Sequence, residues 1–174
     1  FPVGKDSATI LCDDIDEYYF PALALTLVDG RNFRRDDGPD APRVAIVNQP
    51  FAQHYWPGQQ PVGKRFRLLT GDKPWVQVVG LAKTSKYLFI AEPPTEFVYF
   101  PYRQRKPRQL IMLAESNGDA AALAAPLREV VRGLDPNLPI YNVRTMEALY
   151  RMRATSIINV LITTVGGLGV MGLV

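Results

Sequence analysis

The chain has 174 residues, of which 47% are hydrophobic, so it supplies enough apolar material for one packed domain or two small lobes. Its 20 Lys and Arg residues exceed its 17 Asp and Glu residues by only three, and they are spread along the sequence, which argues against nucleic-acid binding. The single cysteine, Cys12, allows neither an internal disulfide nor a cysteine metal cage. Its apolar neighbours predict a small buried side chain.

The first segment predicts a short strand followed by a helix. Residues 7–12 suit a strand, and Asp13, Asp14 and Asp16 then crowd the position where a helix would begin. Because acidic side chains complement the positive end of a helix, we expect these acids to cap a helix around residues 18–23. A strand end and turn at 27–31 and a polar loop at 34–42 follow.

The middle of the chain, residues 28–108, predicts a mainly β lobe with one helix. Runs rich in β-branched and aromatic residues predict strands, and Gly- and Pro-containing turns separate them. Asn48 is placed to cap the helix, and Pro50 fits its first turn. The predicted strands are residues 43–47, 64–69, 75–81 and 96–100, and the helix is residues 51–56.

The last globular segment predicts a strand at 109–115 and then an amphipathic helix capped by Asp119. Pro126 interrupts the helical pattern, so we expect this helix to be kinked or to start late. A short strand at 140–143 follows. Thr145 can cap a further helix that runs into the end of the chain.

The final segment carries no charged residue from 154 to 174, and a helix of about 20 predominantly apolar residues spans a bilayer core. Apolar side chains cover every helical face, which predicts a membrane-inserting helix rather than the alternative, a buried helix of a soluble core. Small residues such as Gly166 and Gly169 would allow close helix packing. The residues expected to enter the membrane are Ile157, Ile158, Leu161, Ile162, Val165, Leu168, Val170 and Leu173.

Several short segments, taken in order, resemble one family. Together they resemble the extracytoplasmic core domain of the MacB/FtsX-like ABC transporter permeases, from about residue 8 to the end. The segments are Tyr-Phe-Pro-Ala-Leu (19–23), Asp-Gly-Arg-Asn-Phe (29–33), Val-Ala-Ile-Val-Asn (44–48), Phe-Ala (51–52), Tyr-Trp-Pro-Gly (55–58), Pro-Val-Gly-Lys-Arg-Phe (61–66), Val-Val-Gly (78–80), Val-Tyr-Phe-Pro-Tyr (98–102) and Leu-Asp-Pro-Asn-Leu-Pro (134–139).

This resemblance implies an α+β fold with a porter-like α/β lobe built from discontinuous segments and an inserted mainly β lobe. Residues 1–27 and 109–150 would form the porter-like lobe, residues 28–108 the β lobe, and residues 151–174 the stalk and start of a transmembrane helix. The family's first membrane helix and the first part of the porter-like lobe would precede Phe1, after which no signal-peptide pattern occurs. A strand edge would then be left unpaired.

The resemblance also implies a location and partners. The globular part would lie outside the bacterial inner membrane, which overrides the weak preference of Arg151 and Arg153 for the cytoplasmic side. A separate subunit or domain would bind ATP and drive motion, so this chain itself would need no cofactor. The implied partners are this ATP-binding subunit, a second permease copy forming a dimer, membrane lipid, and a periplasmic adaptor or outer-membrane channel.

Other chemistries fit the sequence less well. Residues 58–65 match a phosphate-binding loop until Arg65 replaces the Ser or Thr that would hold magnesium, and the loop would open a strand rather than a helix. His54 is the only histidine, and we interpret it as a surface or packing residue. Asp13, Asp14, Asp16 and Glu17 lack the glycine and terminal glutamate of a calcium loop. No constellation of residues predicts catalysis or a metal site.

Three hypotheses remain. The first is the non-catalytic extracytoplasmic domain of a permease, which transmits ATP-driven motion to export or to mechanical work across the envelope. The second is a membrane-tethered hydrolase whose site uses Asp36, Asp37 and Glu92. The third is the permease subunit of a lipoprotein-releasing complex. The basic loop from Arg103 to Arg108 is interpreted as solvated rather than as a contact for lipid headgroups or an acidic partner.

Overall fold

The computed structural model describes residues 7–69, 71, 73–87 and 92–155. Six strands form one sheet, in which parallel and antiparallel pairs are mixed. The strands are β1 (Leu11–Ile15), β2 (Leu27–Gly30), β3 (Val44–Asn48), β4 (Arg65–Arg67), β5 (Trp75–Ala82) and β6 (Phe97–Pro101). Across the sheet they lie in the order β1, β6, β3, β5, β2, and β4 also pairs with β5. The strands predicted for residues 28–108 are thereby confirmed, with shifted ends.

The central strands β3 and β6 are apolar along nearly their whole length because both faces of the sheet are covered there. All five residues of each strand are buried. In β3, Val44 and Ile46 face one apolar cluster, whereas Ala45 and Val47 face the other. The longer β5 instead alternates, with every second residue buried. The core therefore lies on both sides of β3.

Helix α2 (Gln49–Tyr55) follows β3 directly and covers one face of the sheet. The side-chain oxygen of Asn48 accepts a hydrogen bond from the Phe51 N–H at 3.1 Å, so the predicted cap is confirmed. Phe51 and Ala52 are buried against the strands. The helix thus contributes its apolar side chains to one of the two core clusters.

Two glycines allow β2 and β5 to approach closely. Gly30 and Gly80 are paired across these strands. A Cβ atom on Gly80 would lie 2.5 Å from the Arg31 carbonyl oxygen, and one on Gly30 would lie 2.3 Å from the Val79 carbonyl oxygen. Neither position has room for a side chain, because both contacts are with backbone atoms.

The acids near the start of the chain do not cap a helix, contrary to expectation. Asp13 and Asp14 lie on strand β1, and the short helix α1 (Tyr19–Ala22) has no side-chain cap. Asp16 accepts from the Tyr18 N–H at 3.0 Å, and Asp13 accepts from the Asp14 N–H at 2.8 Å. Pairing of β1 with β6 outweighs the capping preference of these acids, because the strand satisfies more backbone groups than a cap does.

The described residues beyond Leu113, which end at Thr155, belong to a second compact unit. It contains a 3-10 helix (Ala120–Leu123), helix α4 (Ala124–Leu134) and helical residues 146–155. Asp119 accepts from the Ala121 N–H at 2.9 Å and Thr145 from the Ala148 N–H at 3.1 Å, so both predicted caps are confirmed. Pro126 lies in the first turn of α4, where proline is tolerated. The α-helix accordingly starts late, after the 3-10 turn.

The strands predicted at 109–115 and 140–143 are wrong, because both segments are irregular. A strand requires a neighbour to bond its backbone, and no described strand pairs with either segment. The side chains of the first segment are instead exposed, with Ile111 at 85% and Leu110 at 68%. An apolar run alone therefore does not make a strand here.

The expected lobe boundary at Val28 falls inside one compact unit. Strand β1 pairs with β6 in the same sheet as β2 to β5, and the unit extends to Leu113. The burial predicted for Cys12 is wrong, since its side chain is exposed. Among the described strands, β1 lies at the edge of the sheet and has a neighbour on one side only.

Candidate functional site

The carboxylate of Asp37 forms an ion pair inside the loop that follows β2. Arg31 donates from Nη1 and Nη2 to its two oxygens at 2.7 and 2.8 Å, and the Arg34 N–H donates at 2.8 Å. Burial raises the pKa of Asp37, but the hydrogen bonds and charges of these arginines together hold that pKa below its usual range. Asp37 is therefore a buried carboxylate with a structural role, because both of its oxygens are bound by groups of its own loop.

Glu92, the second carboxylate of the hydrolase hypothesis, has different partners. Its Oε1 atom accepts from the Tyr87 N–H, and its backbone carbonyl accepts from the Lys86 ammonium. Asp36 is exposed beside the Arg31–Asp37 pair. The structure gives Asp37 and Glu92 separate hydrogen-bond partners, so these contacts do not join the three acids in one site. A general acid and a general base must both reach the same bound substrate, and these hydrogen bonds do not bring the acids together around one.

His54 lies on the last turn of α2 and stacks on the Tyr55 ring, with centroids 4.6 Å apart. Its Nδ1 atom contacts a carboxylate oxygen of Glu96. Burial, reinforced by the Glu96 charge and hydrogen bond, raises the pKa of Tyr55. The prediction of a surface or packing role for His54 agrees with this geometry, which links α2 to the residue before β6.

The acids of β1 meet the basic segment after β6. Arg105, at the end of α3 (Tyr102–Arg105), places its Nε atom 3.2 Å from Asp14 and its Nη1 atom 3.6 Å from the Cys12 sulfur. Burial raises the pKa of Asp14, which the Arg105 charge lowers in part and the Asp13 charge raises further. Part of the basic segment is therefore held against the protein rather than solvated.

Neither a metal centre nor a phosphate-binding loop is found in the described part of the chain. Within it, no three His, Cys, Asp or Glu side chains gather closely enough to hold a metal ion. The phosphate-loop look-alike is a turn in which Gly58 and Gly63 have φ of 68° and 89°, and it opens strand β4. A phosphate loop would open a helix, whose N-terminus binds the anion.

The segment predicted to enter the membrane lies outside the described residues. This holds for Ile157, Ile158, Leu161, Ile162, Val165, Leu168, Val170 and Leu173. Within the part that is described, no helix combines the length and the hydropathy that crossing a bilayer needs. Helical residues 146–155 lead toward the segment, and Arg151 donates to Glu147 there at 2.5 Å.

One exposed surface was not predicted from the sequence. In the β4–β5 hairpin, Arg65 and Arg67 are exposed beside Trp75, whose exposed fraction is 60%. The alternation of Arg65, Phe66 and Arg67 is the signal that could have indicated a strand with one cationic face.

Comparison with known proteins gives the family. The model of the MacB-like periplasmic core domain matches residues 3–130. The chain belongs to this family. Its fold resembles the crystal structure of the periplasmic region of MacB from Actinobacillus actinomycetemcomitans, with a TM-score of 0.51 and 18% identity over 71% of this chain.

The extracellular domain of the noncanonic ABC-type transporter YknZ from Gram-positive bacteria is also similar, with a TM-score of 0.44 and 21% identity over 59% of this chain. The matched parts cover 56% of the MacB region and 49% of the YknZ domain. This MacB-like chain therefore spans about half the length of these relatives. No curated protein sequence matches it.

Proposed function

We propose that this chain is the extracytoplasmic domain of an ABC transporter permease of the MacB/FtsX type, which transmits ATP-driven motion without catalysing a reaction itself. The observation that carries the proposal is the family match over residues 3–130. The hydrogen bonds of the two buried carboxylates support it, because Asp37 is held by Arg31 and Glu92 accepts from the Tyr87 N–H. The motion would drive either export of a substrate or mechanical work in the envelope.

The proposal includes an arrangement in the membrane. Residues 151–174 would form the stalk and the start of a transmembrane helix, with the globular part outside the inner membrane. Residues 1–27 and 109–150 would belong to a porter-like lobe and 28–108 to an inserted β lobe, although β1 shares its sheet with β6. An ATP-binding subunit, a second permease copy and a periplasmic adaptor or outer-membrane channel would be the partners.

Cys12 provides a direct test of the location. It is exposed and is the only cysteine of this chain. In the full-length protein with any other cysteine changed to serine, a membrane-impermeant maleimide should label Cys12 in intact spheroplasts. The Cys12→Ser variant should remain unlabelled, and a cysteine of a cytoplasmic protein should react only after lysis. Labelling of Cys12 only after lysis would contradict the proposal.

Co-purification tests the partner. The full-length protein, extracted from membranes in mild detergent, should carry an ATP-binding subunit, and the ATPase activity of the complex should depend on that subunit's own nucleotide site. Recovery of the protein without any ATP-binding chain, or hydrolysis of a substrate by the purified protein alone, would contradict the transporter assignment.

A further inference from the structure

The hairpin formed by β4 and β5 carries an exposed cationic and aromatic surface, the hairpin patch. Its members are exposed, although they surround the partly buried Phe66 and the buried Val76, which are paired across the two strands. Trp75 is 60% and Leu69 is 56% exposed. The hairpin patch consists of Arg65, Arg67, Leu69, Lys73 and Trp75.

Cross-strand pairing places Arg65, Arg67 and Trp75 on one face. Arg67 is paired with Trp75, and Arg65 with Gln77. Because paired residues point to the same side of a sheet, both arginines and the tryptophan project together, away from Val76, which is 1% exposed. The Arg67 guanidinium lies 5.9 Å from the centroid of the Trp75 ring, and its Nε donates to the Lys73 carbonyl at 2.9 Å.

The backbone of β4 is open along one edge. Two hydrogen bonds flank β4 on the side of β5. The Val78 N–H donates to the Lys64 carbonyl at 2.9 Å, and the Leu68 N–H donates to the Pro74 carbonyl at 3.1 Å. Bonding alternates along an antiparallel strand, so the N–H and C=O groups of Arg65 and Arg67 point to the opposite edge. Within the described ranges, β4 pairs with β5 alone.

The charge of the hairpin patch is uncompensated within the described residues. None of the ion pairs found there includes Arg65, Arg67 or Lys73. Asp72 lies outside the described residues. Exposed Arg and Trp are the residue types enriched where protein interfaces gain most of their binding energy.

We propose that the free edge of β4 docks an extended acidic segment of a partner protein, which adds to the sheet as a strand. Successive same-face residues of a strand are about 6.6 Å apart, so carboxylates at alternate positions of the partner would meet Arg65 and Arg67 in turn. Main-chain bonds to the open edge supply affinity, and the arginines select acidic sequences. An apolar side chain of the partner would cover Trp75.

This occupant fits better than an anionic lipid surface. Lipid headgroups can neutralise cations, but they offer no regular series of donors and acceptors for the open backbone edge. A strand offers both, at the same repeat as β4. The inference concerns the hairpin alone, and its test does not depend on whether the chain is a permease domain.

The test uses the full chain in neutral detergent with a synthetic peptide in which glutamate alternates with valine. Nuclear magnetic resonance should show saturable shifts of the Arg65, Phe66 and Arg67 amides and of the Trp75 indole. Amide hydrogen exchange at Arg65 and Arg67 should slow when the peptide is bound. A peptide with glutamine in place of glutamate should bind about tenfold more weakly.

Matched variants separate the hairpin from net charge. Arg65→Glu with Arg67→Glu should weaken binding by about tenfold or more, whereas Lys83→Glu with Arg108→Glu, two exposed cations off the hairpin, should change it less than about twofold. Arg65→Gln with Arg67→Gln gives a milder loss if charge reversal impairs folding. Equal losses in both charge-reversed proteins, shifts away from β4, or binding of phosphatidylglycerol vesicles without peptide binding would each overturn the proposal.

Discussion

The guanidinium of Arg31 binds the carboxylate of Asp37 through two hydrogen bonds, and only 8% of the Asp37 side chain is exposed. The pair closes the loop after β2, because Asp37 also accepts from the Arg34 N–H. Asn32, next to Arg31, donates to the Glu17 carbonyl at 2.8 Å and so ties this loop to the segment before α1.

Replacement of Asp37 by alanine should destabilise the protein by about 2 kcal/mol, because the change leaves the half-buried Arg31 without its partner.

The stability of the wild type should also depend on pH. The folded-state pKa of Asp37 is lowered, so its contribution is present above the unfolded value of about 3.9 and is lost as the pH falls through the folded value. Urea unfolding between pH 2 and 7, followed by the fluorescence of Trp56 and Trp75, measures both effects. The alanine variant should lose stability less steeply with acid; an unchanged slope would contradict this.

Asp14 should behave in the opposite way. Burial raises its pKa despite Arg105, so its favourable contribution is present below about 3.9 and is lost as the pH rises through the folded value. At pH 7 the charged form is therefore costly, and Asp14→Asn should stabilise the protein by less than about 1 kcal/mol. Asp40→Asn, at an exposed acid outside β1, serves as the matched control. A loss of stability for Asp14→Asn at pH 7 would show that its ion pair with Arg105 outweighs burial.

Asn48 should tolerate no substitution. Its Oδ1 atom accepts from the Phe51 and Phe97 N–H groups, while its Nδ2 atom donates to the Thr95 carbonyl and the Tyr87 hydroxyl. Asn48→Ala removes a helix cap and leaves buried backbone groups without hydrogen-bond partners. We therefore expect the free energy of unfolding, measured in urea, to fall by about 3 kcal/mol. The exposed Gln53→Ala on the same helix should cost less than about 0.5 kcal/mol. An equal loss of stability in the two variants would contradict a structural role for the Asn48 hydrogen bonds.

Gly80 and Gly38 test the close approach of β2 and β5. Gly80→Ala would push a methyl group against the Arg31 carbonyl, so the strands must separate and the free energy of unfolding should fall by more than about 2 kcal/mol. Gly38 has its nearest atom at 4.0 Å and no positive φ, so Gly38→Ala should be neutral or slightly stabilising. Thermal unfolding of both variants compares them directly. Similar melting temperatures for the two variants would contradict the close approach of β2 and β5.

The proposed membrane segment has its own test. An arginine at the centre of a membrane helix costs about 3 kcal/mol, which is a factor of about 100 in partition. The chain carrying Leu161→Arg should therefore co-sediment with phospholipid vesicles far less than the wild type. Leu161→Ala should change co-sedimentation little. Equal sedimentation of all three proteins would argue against insertion of this segment.

The sequence predicted local features where one signal was strong and unopposed. Asn48, Asp119 and Thr145 were identified as caps because their side chains bond backbone within three residues, and that chemistry does not depend on the rest of the fold. The buried strands β3 and β6 were also predicted, since continuous apolar runs mark strands covered on both faces.

Features set by pairing across long distances could not be predicted. Asp13 and Asp14 look like helix caps until β6, more than 80 residues later, provides a parallel neighbour. Residues 109–115 are apolar enough for a strand, but strand formation depends on a neighbour that periodicity does not reveal. The open edge of β4 likewise depends on the assembled sheet.

The parallel pairing of β1 with β6 determines how the sheet would respond to tension. The chain enters β1 beside Phe97 and leaves β6 beside Ile15, so the two strand ends on which a pull would act lie at opposite ends of one ladder. A pull on those ends acts along the strands, and the ladder's hydrogen bonds share the load and would break together rather than one after another. The Asp14–Arg105 ion pair adds a tether at the exit end. A domain stretched in this way would transmit force before it yields.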